Sequence, residues 1–245
     1  MAEHIAENKS YYDKRFGTLS QTLNEEEQRR WQFISHALSA LNLSAGKRIA
    51  DFGCGRGWLS DKLSAFGNVT GFDLSQKAVE NAQAHFKNCD FVCLNAESEI
   101  PAAYQQQFEI VVSSEVIEHT IAQLEYLQNC ASLLKQGGYL LLTTPNGLWK
   151  EAFYQNGREA WKQPVENWLR PDALQTLLQQ TGFSIVAAKS FNAEWIFDFR
   201  PAAFAFESHP FRRKLLKLNG VYSKVITALN ANNKGLNTLV LAKKL

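Results

Sequence analysis

The stretch Arg48-Ile49-Ala50-Asp51-Phe52-Gly53-Cys54-Gly55-Arg56-Gly57 sets a carboxylate and three closely spaced glycines at the end of an apolar run. Residues 48–52 have the length and apolarity of a buried strand, and 58–66 read as the helix that follows. Glycines at the join let the backbone approach a ligand closely, because each lacks a Cβ and takes positive φ without strain. A second apolar run, Val69-Thr70-Gly71-Phe72-Asp73, ends on a carboxylate placed to hold a ribose diol. The two strand ends describe a nucleoside cradle of Rossmann type.

Charge decides which nucleotide suits it. Dinucleotide sites carry Gly-x-Gly-x-x-Gly for a pyrophosphate. Here the spacing is Gly-x-Gly-x-Gly, and Asp51 lies two residues before the first glycine. A buried anion there repels a pyrophosphate and attracts a cationic amino-acid group. S-adenosylmethionine carries an ammonium and a sulfonium and no phosphate, so the pattern selects it.

Four segments in order resemble the class I S-adenosylmethionine-dependent methyltransferases. They are Asp51-Phe52-Gly53-Cys54-Gly55-Arg56-Gly57, Gly71-Phe72-Asp73-Leu74-Ser75, Phe108-Glu109-Ile110-Val111-Val112-Ser113-Ser114-Glu115-Val116-Ile117-Glu118-His119 and Gly137-Gly138-Tyr139-Leu140-Leu141-Leu142-Thr143-Thr144-Pro145-Asn146. The resemblance covers roughly 30–190, plus a last strand near 237–243. It implies an α/β fold: a Rossmann-like, doubly wound, mostly parallel seven-stranded sheet whose last strand is antiparallel. It also implies roles for single residues. Asp51 would face the methionine ammonium, with backbone N–H groups of Gly53 and Gly55 beside it. Asp73 would accept both ribose hydroxyls. Leu74 would lie against adenine, Asn95, Ala96 and Glu97 at its edge, and Ser114 along the methionine arm. Arg30 matches a cofactor-contacting arginine of ubiquinone-type O-methyltransferases.

A chain of 245 residues fits one domain with a substantial core. A hydrophobic share of 45% and a charged share of 20% belong to a globular protein and exclude a disordered one. A net charge of +2 gives no argument for nucleic acid. The four cysteines form no CxxC pair, which points to free thiols and away from a disulfide framework or zinc site. The N-terminus is acidic without an apolar core, unlike a signal peptide, and no run reaches the ~20 apolar residues of a membrane span. The expectation is a soluble, cytoplasmic protein.

Residues 1–45 read as helical cover, with apolar positions Trp31, Ile34, Leu38 and Leu41 in a helix over 25–41. Ser75 reads as the N-cap of a helix over 76–87. Further strands are predicted at 91–94, 110–113, 139–144, 183–189 and 237–243, and a helix between Pro171 and Gly182. Two insertions lie outside this alternation. Segment 147–169 holds Trp149, Trp161 and Trp168; segment 191–236 holds Phe197, Phe199, Phe204, Phe206 and Phe211. Both read as substrate cover on a single methyltransferase domain spanning 1–245.

The catalytic candidates are Glu115, Glu118 and His119, spaced i, i+3 and i+4. On the first turn of a helix that spacing groups all three on one face. Two chemistries suit them. His119 can act as general base toward an attacking hydroxyl. Alternatively, the three can hold a divalent cation, magnesium or similar, that acidifies the hydroxyl. The Glu-Val-Ile-Glu-His pattern is similar to ubiquinone-biosynthesis O-methyltransferases and to small-RNA 2′-O-methyltransferases. Those families add a histidine before the next helix, and the match puts Gln163 at that position. A hydroxyl on a small or lipid-linked molecule, such as a quinone precursor or a glycan, is the expected acceptor. RNA 2′-O-methylation is the alternative, but the chain has no broad basic stripe. The basic, amphipathic stretch 211–218 reads either as a lid or as a peripheral contact with the inner membrane face.

Overall fold

A computed structural model describes residues 2–16, 22–41, 44, 46–155, 163–193 and 221–245. Trp161, the five phenylalanines at 197–211 and the stretch 211–218 lie outside the described residues. The elements run α1 (Ala2–Phe16), α2 (Glu25–Ser39), β1 (Arg48–Phe52), α3 (Trp58–Leu63), β2 (Asn68–Asp73), α4 (Gln76–His85), β3 (Asp90–Cys93), β4 (Phe108–Ser114), α5 (Gln123–Leu133), β5 (Leu134–Pro145), α6 (Lys150–Gln155), α7 (Pro171–Gln180), β6 (Phe183–Phe191), α8 (Val221–Ala231) and β7 (Asn237–Lys244).

The seven strands form one sheet in the order β3-β2-β1-β4-β5-β7-β6. Strands β1 to β5 pair in parallel, and β7 runs antiparallel between β5 and β6. Alternation along each central strand divides the core. Ala50, Val111, Leu140 and Leu142 face one layer with Tyr126, Leu127, Leu174 and Leu178 of α5 and α7. Ile49, Ile110, Val112 and Leu141 face the other, with Ile34, Leu38, Leu59 and Leu63 of α2 and α3. Being covered on both faces explains why these strands read as continuous apolar runs.

Strand order reverses between β1 and β4, and ligands of open α/β sheets bind at the carboxyl ends beside such a point. The local signals that stop the strands are legible. Ser75 caps α4 through Ala78 N–H, and Asn24 and Glu27 form a capping box at α2. Among the described residues no helix is long and apolar enough to cross a membrane.

The segment after β4 departs from expectation. Glu115 has φ 59° and Ile117–His119 forms a single 3-10 turn, so the α-helix starts only at Gln123. The reason lies in α5's N-terminus: Glu97 Oε2 accepts the N–H groups of Ile121 and Ala122, each at 2.9 Å. A carboxylate at that position favours a helix start there rather than earlier.

Candidate active site

A cavity of about 650 Å³ opens at the carboxyl ends of β1, β2 and β4. Its lining includes Arg30, Gly53, Gly55, Asp73, Leu74, Asn95, Ala96, Glu97, Ser114, Glu115, Glu118 and His119. Those twelve residues, anticipated from the sequence, are therefore brought together.

Asp51 is the exception. It is fully buried and absent from the lining, and Ser60 of α3 donates to its Oδ2 at 2.6 Å. Burial pushes its carboxyl up to about 7, with only Ser60 working against that. An anion facing an ammonium was expected; Ser60 engages one oxygen of Asp51, and the other, Oδ1, is buried without a hydrogen-bond partner among the described residues. The N–H groups of the turn are also engaged within the protein. Gly53 and Cys54 both donate to Phe72 O, at 2.8 and 2.9 Å, and Gly55 donates to Asp73 Oδ2 at 2.8 Å. What the glycines allow is the close approach of neighbouring side chains. A Cβ on Gly53 would meet Val116 Cγ2 at 2.3 Å, and one on Gly55 would meet the Phe16 ring at 3.1 Å.

Asp73 faces the cavity while its oxygens accept Gly55 N–H and Ser75 N–H, the latter at 2.9 Å. Burial raises its carboxyl to about 6. Glu97 lines the cavity too, though one oxygen is committed to α5.

At the other end Glu118 is 1% exposed and accepts from Thr144 Oγ1 at 2.9 Å. Burial pushes it up to about 8, so it is mostly uncharged at neutral pH. His119 Nδ1 lies 2.9 Å from Val165 O, a group that only accepts, so Nδ1 carries the hydrogen. Its Nε2 accepts from the Gln163 amide at 3.0 Å, and Tyr12 Oη donates to Gln163 Oε1 at 2.7 Å. Burial lowers the imidazole's pKa and keeps it neutral.

Glu115 turns elsewhere. Asn237 Nδ2 donates to its Oε2 at 3.1 Å, and Oε1 lies 3.7 Å from Arg30 Nε. The expected three-residue metal site is thereby corrected. Glu115 already faces a guanidinium, His119 Nε2 already holds an amide N–H, and among the described residues no group of three His, Cys, Asp or Glu is arranged to hold a metal. A divalent cation does not fit this donor set. The grouping assumed a helical turn that residues 115–119 do not form.

Helical cover over 1–45 was expected, but the part α1 plays in the cavity wall was not read from the sequence. Asn8, Tyr12 and Phe16 line the cavity at helical i, i+4 spacing, and Asn8 Nδ2 donates to His119 O at 3.1 Å. The Asn8-Tyr12-Phe16 spacing was a readable stripe. Phe153, Tyr154 and Trp168 complete the outer wall as a cluster with ring centroids 5.2 to 5.6 Å apart.

A family model described as "Methyltransferase domain" matches residues 23–188. The chain is 30% identical over 161 residues to the ubiquinone biosynthesis O-methyltransferase of Roseobacter denitrificans, covering 60% of this chain and 63% of that protein. It is 38% identical over 107 residues to the protein of the same name from Aromatoleum aromaticum, covering 42% and 45%. The chain thus spans about half the length of these curated relatives. Among solved structures, an S-adenosylmethionine-dependent methyltransferase from Mesorhizobium loti superposes with a TM-score of 0.60 at 18% identity, over 85% of this chain and 96% of that one. Those structural likenesses speak to the fold, and the family match speaks to descent. The chain belongs to the methyltransferase-domain family, as a class I S-adenosylmethionine-dependent methyltransferase.

Proposed function

We propose that this protein transfers the methyl group of S-adenosylmethionine to a hydroxyl oxygen of a small or lipid-linked acceptor, such as a quinone precursor or a glycan. The observation that carries the reading is His119, a buried neutral imidazole with Nδ1–H fixed on Val165 and Nε2 turned to the cavity beside Glu118. The ubiquinone biosynthesis relatives support the same chemistry by name.

The residues fit the cofactor. The cavity volume lies within the roughly 300–1,000 Å³ usual for small-molecule sites. Asp73 offers carboxylate lone pairs to a diol, and Leu74 an apolar face. When bound, S-adenosylmethionine supplies an electrophilic methyl carbon on a sulfonium.

The chain's own residues then do the following. The acceptor hydroxyl takes the place of the Gln163 amide at His119 Nε2, which removes its proton as the O–C bond forms and the C–S bond breaks. Glu118, with Oε1 3.6 Å from that nitrogen, rests largely protonated, and positive charge developing on the imidazole draws it toward the carboxylate that then favours the imidazolium. Phe153, Tyr154 and Trp168 exclude water and align the acceptor, and alignment is worth up to about 7–11 kcal/mol in such reactions. Carboxyl groups outnumber guanidinium groups in the described lining, which disfavours a phosphate-rich acceptor such as RNA.

Incubating the protein with methyl-labelled S-adenosylmethionine and fractionated cell extract tests this. Label in the lipid or small-molecule fraction that survives mild alkali is an ether and is the expected result. Label released as methanol, or found in RNA, contradicts the reading.

A further inference from the structure

We propose that Glu166 is the positioning residue of the base: it pins residues 163–168 as a collar around His119 and stands by as the carboxylate that the imidazolium meets. The proposal rests on the reading of His119 as base and extends the machinery beyond the cluster of Glu115, Glu118 and His119.

The collar is built from one short segment. Val165 O holds Nδ1–H of His119 at 2.9 Å, and the Gln163 side chain reaches Nε2 at 3.0 Å, so residues two apart meet both ring nitrogens. Pro164 between them has no N–H to close a turn. Glu166 closes it. Its Oε1 accepts the Gln163 backbone N–H at 3.2 Å, and its Oε2 accepts Trp168 Nε1–H at 2.5 Å. The segment is also tied to the strip beneath. Asn167 N–H donates to Glu118 O at 2.6 Å and Asn167 Nδ2 to Thr120 O at 3.0 Å, while Lys150 Nζ donates to Glu166 O. One carboxylate thus joins the aromatic wall at Trp168 to the ring that takes the proton.

Charge points to the same residue. The groups facing His119 are Glu115 and Glu118 on its own segment, Tyr12 and Arg15 of α1, and Glu166. Burial lowers the imidazole's pKa most and Arg15 adds to that, while the Val165 bond, then Glu166, then Glu115 oppose it. Burial pushes Glu115 up to about 7 and Glu118 up to about 8, so neither is a full anion at neutral pH. Glu166 is only half-buried and accepts on both oxygens, as a carboxylate does. A base held in one tautomer and already faced by an anion needs little rearrangement when it takes a proton.

Two measurements on the full chain test this. In the resting protein at neutral pH, the nitrogen chemical shifts of His119 should place the hydrogen on Nδ1 in the wild type. Glu166→Leu, which cannot hold the Gln163 N–H, should lose that preference; the same preference in both proteins overturns the collar. Label transfer from methyl-labelled S-adenosylmethionine into the extract fraction that takes label, followed across pH, reads the charge. Glu166→Gln removes an anion from the imidazolium, so the acid limb should move to lower pH by up to about one unit and the plateau slow several-fold. Its S-adenosylhomocysteine affinity should be unchanged, and Glu166→Asp, which keeps the charge, should keep the limb in place. A limb in Glu166→Gln that stays or moves to higher pH overturns the proposal, and so does a loss of S-adenosylhomocysteine affinity equal to the loss of rate. A wild-type limb that persists in His119→Gln overturns the base reading instead, and the resting chemical shifts still judge the collar.

Discussion

The side-chain amide of Gln163 lies 3.0 Å from His119 Nε2. Its direction is fixed from both ends. Tyr12 Oη donates to Gln163 Oε1, leaving the amide nitrogen toward the imidazole, and Val165 O on the other side of the ring demands Nδ1–H. A donor from α1 therefore sets the protonation of a residue more than a hundred positions away, through an insertion residue.

Removing that donor makes the imidazole easier to protonate, because the amide N–H stabilises only the neutral ring. Gln163→Leu should move the acid limb of the rate profile to higher pH by up to about one unit, the size of one neutral hydrogen bond. Tyr12→Phe should move it the same way by less. A shift to lower pH, or none in either variant, would show that the amide does not govern His119.

Stability should fall as pH rises. Burial holds Asp51 up to about 7, above its unfolded value near 3.8, so the folded state keeps a proton that the unfolded state has lost. Its contribution is full below about pH 4 and declines as pH climbs through 7, by about 1.4 kcal/mol for each pH unit at most. Asp51→Asn keeps an acceptor for Ser60 and has no proton to lose. Urea unfolding at pH 6 and pH 8.5 should show a shallower loss for the variant; equal slopes would count against a buried neutral carboxyl.

Gly53 is required by its neighbour. At φ 92° an added Cβ is strained and also overlaps Val116. Gly53→Ala should destabilise by about 1–3 kcal/mol, and adding Val116→Ala should restore the steric part while leaving the backbone strain. Thermal unfolding of the single and double variants measures this. Additive losses would mean that Val116 is not the obstacle.

Chelation should leave the reaction untouched. Glu115 faces Arg30, and His119 Nε2 faces Gln163, so the donor set offers a divalent cation no third ligand. Label transfer in excess EDTA, and again after adding magnesium, should match the untreated rate. A rate that vanishes with EDTA and returns with magnesium would reinstate the metal mechanism.

Much of this was legible in the sequence for a physical reason. Strands covered on both faces must be apolar throughout, so 48–52, 110–113 and 139–144 announce themselves, and Asp73 ends its strand where a ligand can reach it. What failed depended on partners distant in sequence. Asp51 reads as a ligand-facing anion, and nothing in the sequence tells that Ser60, on the following helix, takes one of its oxygens. Glu115, Glu118 and His119 read as one helical face until Glu97 delays the start of α5 and Asn237 draws Glu115 aside. Gln163 was placed by resemblance at the position of a family histidine, and it does sit at His119; its tether to Tyr12 could not be read, because nothing local links residues 12 and 163.

The most direct test of the central claim is the affinity of the full chain for S-adenosylhomocysteine, measured beside Asp73→Ala. Asp73 faces the cavity and can accept from two hydroxyls, and its loss should cut affinity roughly a hundredfold, the value of two charge-assisted bonds. Burial sets its pKa near 6, so wild-type affinity should also weaken as pH falls below that point. One tight site in the wild type that is lost in Asp73→Ala is the predicted result. Equal affinity in the two proteins would contradict the placement of the cofactor at the ends of β1 and β2.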